Sequence, residues 1–106
     1  MNRRRFLLSA AALTGCRPAA DPEGVLRIGH FPNVTHVQAL VARSMSREGR
    51  GWFEQCLGLE VRWFMYNAGP SVAEAVFARS LDAAYMGPSP LLNAYVRSDG
   101  REMRVL

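Results

Sequence analysis

The chain reads as an α/β domain built on a parallel sheet, in the order βαβαβαβ. Three observations predict this. Short apolar runs at 25–29, 59–66, 81–86 and 102–106 alternate with stretches whose apolar residues recur at helical spacing. The connections between them are short, which favours right-handed crossovers between parallel strands. The tripeptide Gly-Pro-Ser occurs twice, at 69–71 and 87–89, each time after an apolar run and before a helical stretch. Glycine lets the chain turn sharply, proline presets φ for a first helical turn, and serine can cap the helix or face a ligand.

The first fifteen residues read as an address. Arg3-Arg4-Arg5 is a basic start and Phe6 to Leu13 an apolar stretch. Eight helical residues rise only ~12 Å, too little for a hydrocarbon core of ~30 Å, so the stretch suits a secretory signal and not a spanning anchor. Arg3-Arg4-Arg5-Phe6-Leu7 resembles the twin-arginine export signature, which leaves that route and the general secretory route both open. Leu13-Thr14-Gly15-Cys16 resembles a bacterial lipobox. In that class the cysteine thiol accepts a diacylglycerol and becomes the mature N-terminus, and several acyl chains hold the protein stably on a membrane. Residues 16–24, with Pro18 and Pro22 and no periodicity, form the tether.

The folded part is expected over 25–106. Val25 to Gly29 is the first strand, and Pro32 marks the loop after it. Val37, Leu40, Val41 and Met45 make a helical stripe that Asn33 or Thr35 can cap. Trp52 to Leu57 adds one or two turns closed by Gly58, with Cys56 expected as a small buried residue. Leu59 to Tyr66 alternates at strand period, and Trp52, Phe53, Trp63 and Phe64 are expected to pack in the core and on the sheet. Val72, Ala73, Val76 and Phe77 line one helix face. Leu81 to Met86 suits a buried parallel strand with Asp82 as a structural residue at its entry. Leu91, Leu92, Tyr95 and Val96 continue as a helix, Ser98-Asp99-Gly100 is a turn, and Glu102 to Leu106 begins a fourth strand.

Charge and composition exclude several classes. Of thirteen basic residues three lie at positions 3–5, and the other ten face nine acidic ones, so no nucleic-acid patch is expected. The chain has no lysine, which removes Schiff-base and Walker-type chemistry. Cys16 and Cys56 do not combine with His30 and His36 at any metal-ligand spacing, so neither metal nor cofactor is expected. Ser71 and Ser89 lack a nucleophile elbow and a visible base. In a parallel sheet, ligands bind beyond the carboxyl ends of the strands, and the loops 30–36, 67–71 and 87–90 all fall there. His30 and His36 there are open to two readings, anion contact or structural support.

Three stretches carry a more specific likeness. They are Leu26 to Asn33 with Thr35-His36 and Gln38-Ala39-Leu40; Asn67 to Ser71 with Glu74-Ala75; and Asp82 to Pro90 with Asn93-Ala94-Tyr95. In their order and spacing the chain resembles bacterial periplasmic substrate-binding lipoproteins of the aliphatic sulfonate, taurine and nitrate transporter type. The resemblance implies a lobe of the type 2 periplasmic-binding-protein fold, with an anionic solute held in a cleft and delivered to an ABC permease in the membrane. It implies that Asn33, Thr35, His36, Gly69, Ser71, Gly87 and Ser89 line that cleft, the last four donating N–H and hydroxyl groups. It also implies a second lobe, so that 25–106 corresponds to the N-terminal part of the first lobe, truncated before the second. Two alternatives stand beside it. One is an enzyme of the same fold, resembling pyrimidine-precursor synthases, which rely on a reactive lysine and histidines. The other is a lipoprotein fragment without ligand function.

Overall fold

Strand β1 (Val25–His30) is the axis of a three-stranded parallel sheet with β2 (Glu60–Met65) on one side and β3 (Ala83–Ala84) on the other. A computed structural model describes residues 24–106. The expected signal segment, Cys16 and the expected tether up to residue 23 lie outside the described residues. Ile28 sits in register with both Trp63 and Ala83, and Gly29 with Phe64 and Ala84. The apolar, β-branched character of β1 suits this central place, where both edges are paired.

Among the described residues four α-helices complete the α/β architecture: α1 (Val37–Arg47), α2 (Trp52–Leu57), α3 (Gly69–Phe77) and α4 (Pro88–Arg97). The path from β1 to β2 runs through α1 and α2, and the path from β2 back across β1 to β3 runs through α3. These two steps go in opposite directions along the sheet, so right-handed crossovers put α1 and α2 on one face and α3 on the other. The contacts agree. On the first face Trp63 Nε1 donates to Ser46 Oγ of α1 at 3.1 Å, and Arg43 of α1 meets His30. On the second face Ala73, Ala94 and Met103 form a buried cluster with Val76, Phe77, Met86 and Leu91 around it.

Asp82 fixes the entry of β3. Its carboxylate accepts from Arg27 N–H at 2.8 Å, from Arg27 Nε at 3.0 Å and from Nη2 at 2.9 Å, while Asp82 N–H donates to the Arg27 carbonyl. Gly58 closes α2 in the left-handed region with φ 66°, and its N–H donates to the Glu54 carbonyl.

Four sequence expectations fail. The fourth strand does not form: residues 102–106 pair with no strand, and the order is βαβαβα. The Asp99-Gly100 turn, both residues at positive φ, folds the chain back so that Met103 enters the gap between α3 and α4. Burying Met103 against helices wins over extending the short β3 edge. The third strand is shorter than 81–86, because only Ala83 and Ala84 pair in the ladder, with one further bond at each end from Asp82 and Tyr85 N–H. Cys56 is exposed. Helix α2 is too short to turn its far side inward, and none of its residues is buried. For the same reason Trp52 is 57% exposed, and Phe64 stands partly in solvent. Phe53 and Trp63 do pack, with ring centroids 6.1 Å apart.

Candidate functional site at the carboxyl edge of the sheet

The three strands end level. Tyr66 N–H donates to the His30 carbonyl and Tyr85 N–H to the Gly29 carbonyl, both at 2.9 Å. The loops that follow β1, β2 and β3 therefore start side by side on one edge. A Cβ on Gly29 would lie 2.6 Å from Leu81 Cδ1 and 3.3 Å from Tyr66 Cε2, so this approach depends on a residue without a side chain.

Loops two and three carry the Gly-Pro-Ser turns, and the turns touch. A Cβ on Gly69 would fall 2.6 Å from both Cβ and Cγ of Pro90. The starts of α3 and α4 are thus neighbours, and both helix dipoles present their positive ends here. The two tripeptides are nevertheless out of register by one residue. Gly69 is the first residue of α3, capped by Ala68, whereas Gly87 is itself the cap of α4. Neither helix has a side-chain cap, so Ser71 and Ser89 do not spend their hydroxyls on their own helix ends.

The backbone donors matter more. Pro70, Pro88 and Pro90 have no N–H, which leaves Gly69, Ser71, Gly87 and Ser89 as donors in these first turns. Among the described residues none of the four donates to a protein acceptor. Gly69 and Ser89 also line a groove of about 560 Å³ together with Pro70, Pro90, Asn93 and Arg97. Arg97 leans across from α4 to Glu74 at 3.4 Å and lies 5.5 Å from the centre of the Phe77 ring.

The first loop has a different character. Asn33 caps a short 3-10 turn (Val34–His36), its Oδ1 accepting from both N–H and Oγ1 of Thr35. Asn33 keeps its amide N–H groups as donors, while the Thr35 hydroxyl proton is spent on Asn33. His36 is buried and stacked on Phe31 with centroids 4.7 Å apart, and its Nδ1 accepts from Phe31 N–H at 3.0 Å. That bond puts the ring proton of neutral His36 on Nε2. Burial, and then the neighbouring His30, hold the His36 pKa below the ordinary histidine value. His30 is wholly buried; its Nδ1–H donates to the Phe31 carbonyl at 3.0 Å and Nε2 accepts from Arg43 at 3.3 Å. His30 is a structural residue of the β1 end.

Of the residues expected at a site, Gly69 and Ser89 line one groove at the two adjoining helix starts, while Ser71 and Gly87 belong to the same starts without lining it. His36 approaches the third loop through Tyr85, whose ring centroid is 6.1 Å away. No hydrogen bond or ring contact among the described residues joins Asn33 or Thr35 to either Gly-Pro-Ser turn. Sequence reasoning missed Tyr85 and, along α4, Asn93 and Arg97, which continue a stripe from the expected Ser89. The i, i+4 spacing of that stripe was the available signal. Among the described residues no group of three or more His, Cys, Asp or Glu side chains is placed to hold a metal ion, and no helix is long and apolar enough to cross a membrane. Comparison with protein-family models, with curated proteins and with solved structures finds no match.

Proposed function

We propose that this chain is the solute-binding part of an ABC importer, capturing a small anion of the aliphatic sulfonate type and passing it to a membrane permease. The observation that carries the proposal is the set of four unpaired backbone N–H groups, on Gly69, Ser71, Gly87 and Ser89, at two helix starts in contact. An anion is the natural partner of such donors, because helix dipoles and unpaired N–H groups act in the same direction. Each helix-end contact contributes ~0.3–1 kcal/mol at exposed sites, so a useful affinity needs several acting on one group. A sulfonate offers three oxygens and stays anionic at any physiological pH. Neutral donors bind it without competing for protons. In this proposal the chain is exported and carries lipid on Cys16, with residues 16–24 as the tether that leaves the folded part free to meet solute and permease.

Thermal unfolding in the presence of anions tests the reading. Alkanesulfonates at ~100 times Kd should add ~2.7 kcal/mol of stability and raise Tm. No shift with alkanesulfonates, taurine, nitrate or bicarbonate contradicts it.

A further inference from the structure

Two buried histidines grip one backbone residue at the carboxyl end of β1. The Phe31 carbonyl accepts from His30 Nδ1, and the Phe31 N–H donates to His36 Nδ1, both at 3.0 Å. The two residues, His30 and His36, are 0% and 8% exposed. We propose that this grip is a proton-operated latch, in which protonation of His36 Nδ1 expels the Phe31 N–H and frees the loop 31–36 from the end of the strand.

The chemistry is that of two donors forced to face each other. Neutral His36 presents the Nδ1 lone pair to Phe31 N–H; imidazolium presents an N–H in the same place. The amide cannot simply turn to another acceptor, because the Phe31 ring is stacked on His36 and the following turn is fixed by Asn33. Nor does the surrounding chemistry compensate the new charge. The titratable and charged groups that face His36 are His30 from β1, Arg43 of α1 acting through His30, and Tyr85 from the loop after β3. Among the described residues no carboxylate forms an ion pair with either imidazole. Protonation therefore adds an uncompensated positive charge beside His30 in a buried place, and the accessible response is to open the loop and hydrate the ring. The depressed pKa of His36 agrees in direction, since the closed latch favours the neutral ring.

The latch stands on the geometry of β1 and its loop and needs no ligand. Any loss of solute affinity in acid would rest in addition on the function proposed above. Hydrogen exchange at the Phe31 amide of the full chain, corrected for the intrinsic chemical rate, reads the latch directly. Between pH 7.5 and pH 5 its protection should fall about five- to tenfold, as for the loss of one ordinary hydrogen bond, while protection at Ile28 holds. In His36→Asn, whose Oδ1 can accept from Phe31 N–H but does not titrate in this range, the fall should disappear. Nitrogen NMR of the unaltered protein gives a second reading that does not depend on the variant folding. His36 Nδ1 should be the unprotonated nitrogen at pH 7.5 and should gain its proton over the pH range in which Phe31 opens. Constant Phe31 protection, an equal fall in His36→Asn, or a proton already on Nδ1 at pH 7.5 would overturn the latch, with or without solute binding.

Discussion

Asp82 and His36 show how single residues set the conditions under which this sheet holds. The Arg27 guanidinium and N–H beside Asp82 keep its carboxyl below the usual aspartate value, against a smaller opposing effect of burial. Because the folded-state pKa is lowered, the stabilisation is complete above the unfolded value and is lost as pH falls through the folded one. For His36 the same sign applies at a higher pH: its folded pKa is also lowered, so its contribution is present above about 6.5 and fades as pH falls below that. Stability should therefore fall in two windows as pH drops, one beginning near pH 6.5 and one below about pH 4. Asp82→Ala should remove the lower window and cost about 1–2 kcal/mol at pH 7 in urea unfolding. That is the low end for hydrogen bonds to a charged group, since Asp82 is 37% exposed. An unchanged midpoint would mean that the Arg27–Asp82 contact does not hold β3 to β1.

At the scale of elements, the contact between the starts of α3 and α4 is the feature most open to attack. Gly69→Ala places a methyl against the Pro90 ring, at 2.6 Å from two of its carbons. Proline cannot swing aside as a flexible side chain would, so the helix starts must separate, at a cost of about 1–3 kcal/mol. Gly87→Ala meets Pro90 only at 3.8 Å and should cost clearly less, a contrast that chemical denaturation of the two variants measures. Much of this layer was legible beforehand. The alternation of Leu59 to Tyr66 and the stripe from Val37 onward correspond to β2 and α1, and Gly58 closes α2 as its position implied. Both Gly-Pro-Ser turns begin helices, but their one-residue offset was invisible, because it depends on where each strand stops and not on the tripeptide. Glu102 to Leu106 has the composition of a strand, yet its fate is decided by the gap that Ala73 and Ala94 leave for Met103. Small residues on two helices far apart in sequence make that gap, so local periodicity carries no trace of it. Cys56 failed for a related reason. Its burial depended on how much of α2 the sheet could cover, a property of the pair and not of either segment.

For the molecule as a whole, the parallel sheet divides the work between its ends. The amino end is held by the Arg27–Asp82 pairing, while the carboxyl end collects the loops with unspent donors. One face, under α1 and α2, carries the buried histidines; the other, under α3 and α4, carries the cluster around Met103. The two Gly-Pro-Ser turns belong to the second face but open on the shared edge, and four N–H groups there lack acceptors among the described residues. A titration followed at individual backbone amides by NMR tests the central claim most directly. With methanesulfonate added at neutral pH, the amides of Gly69, Ser71, Gly87 and Ser89 should shift together and saturate at one common Kd. Amides at the amino end of β1 should stay where they are. Movement elsewhere with these four unmoved, or no saturable shift in the folded protein, would contradict anion capture at the Gly-Pro-Ser turns.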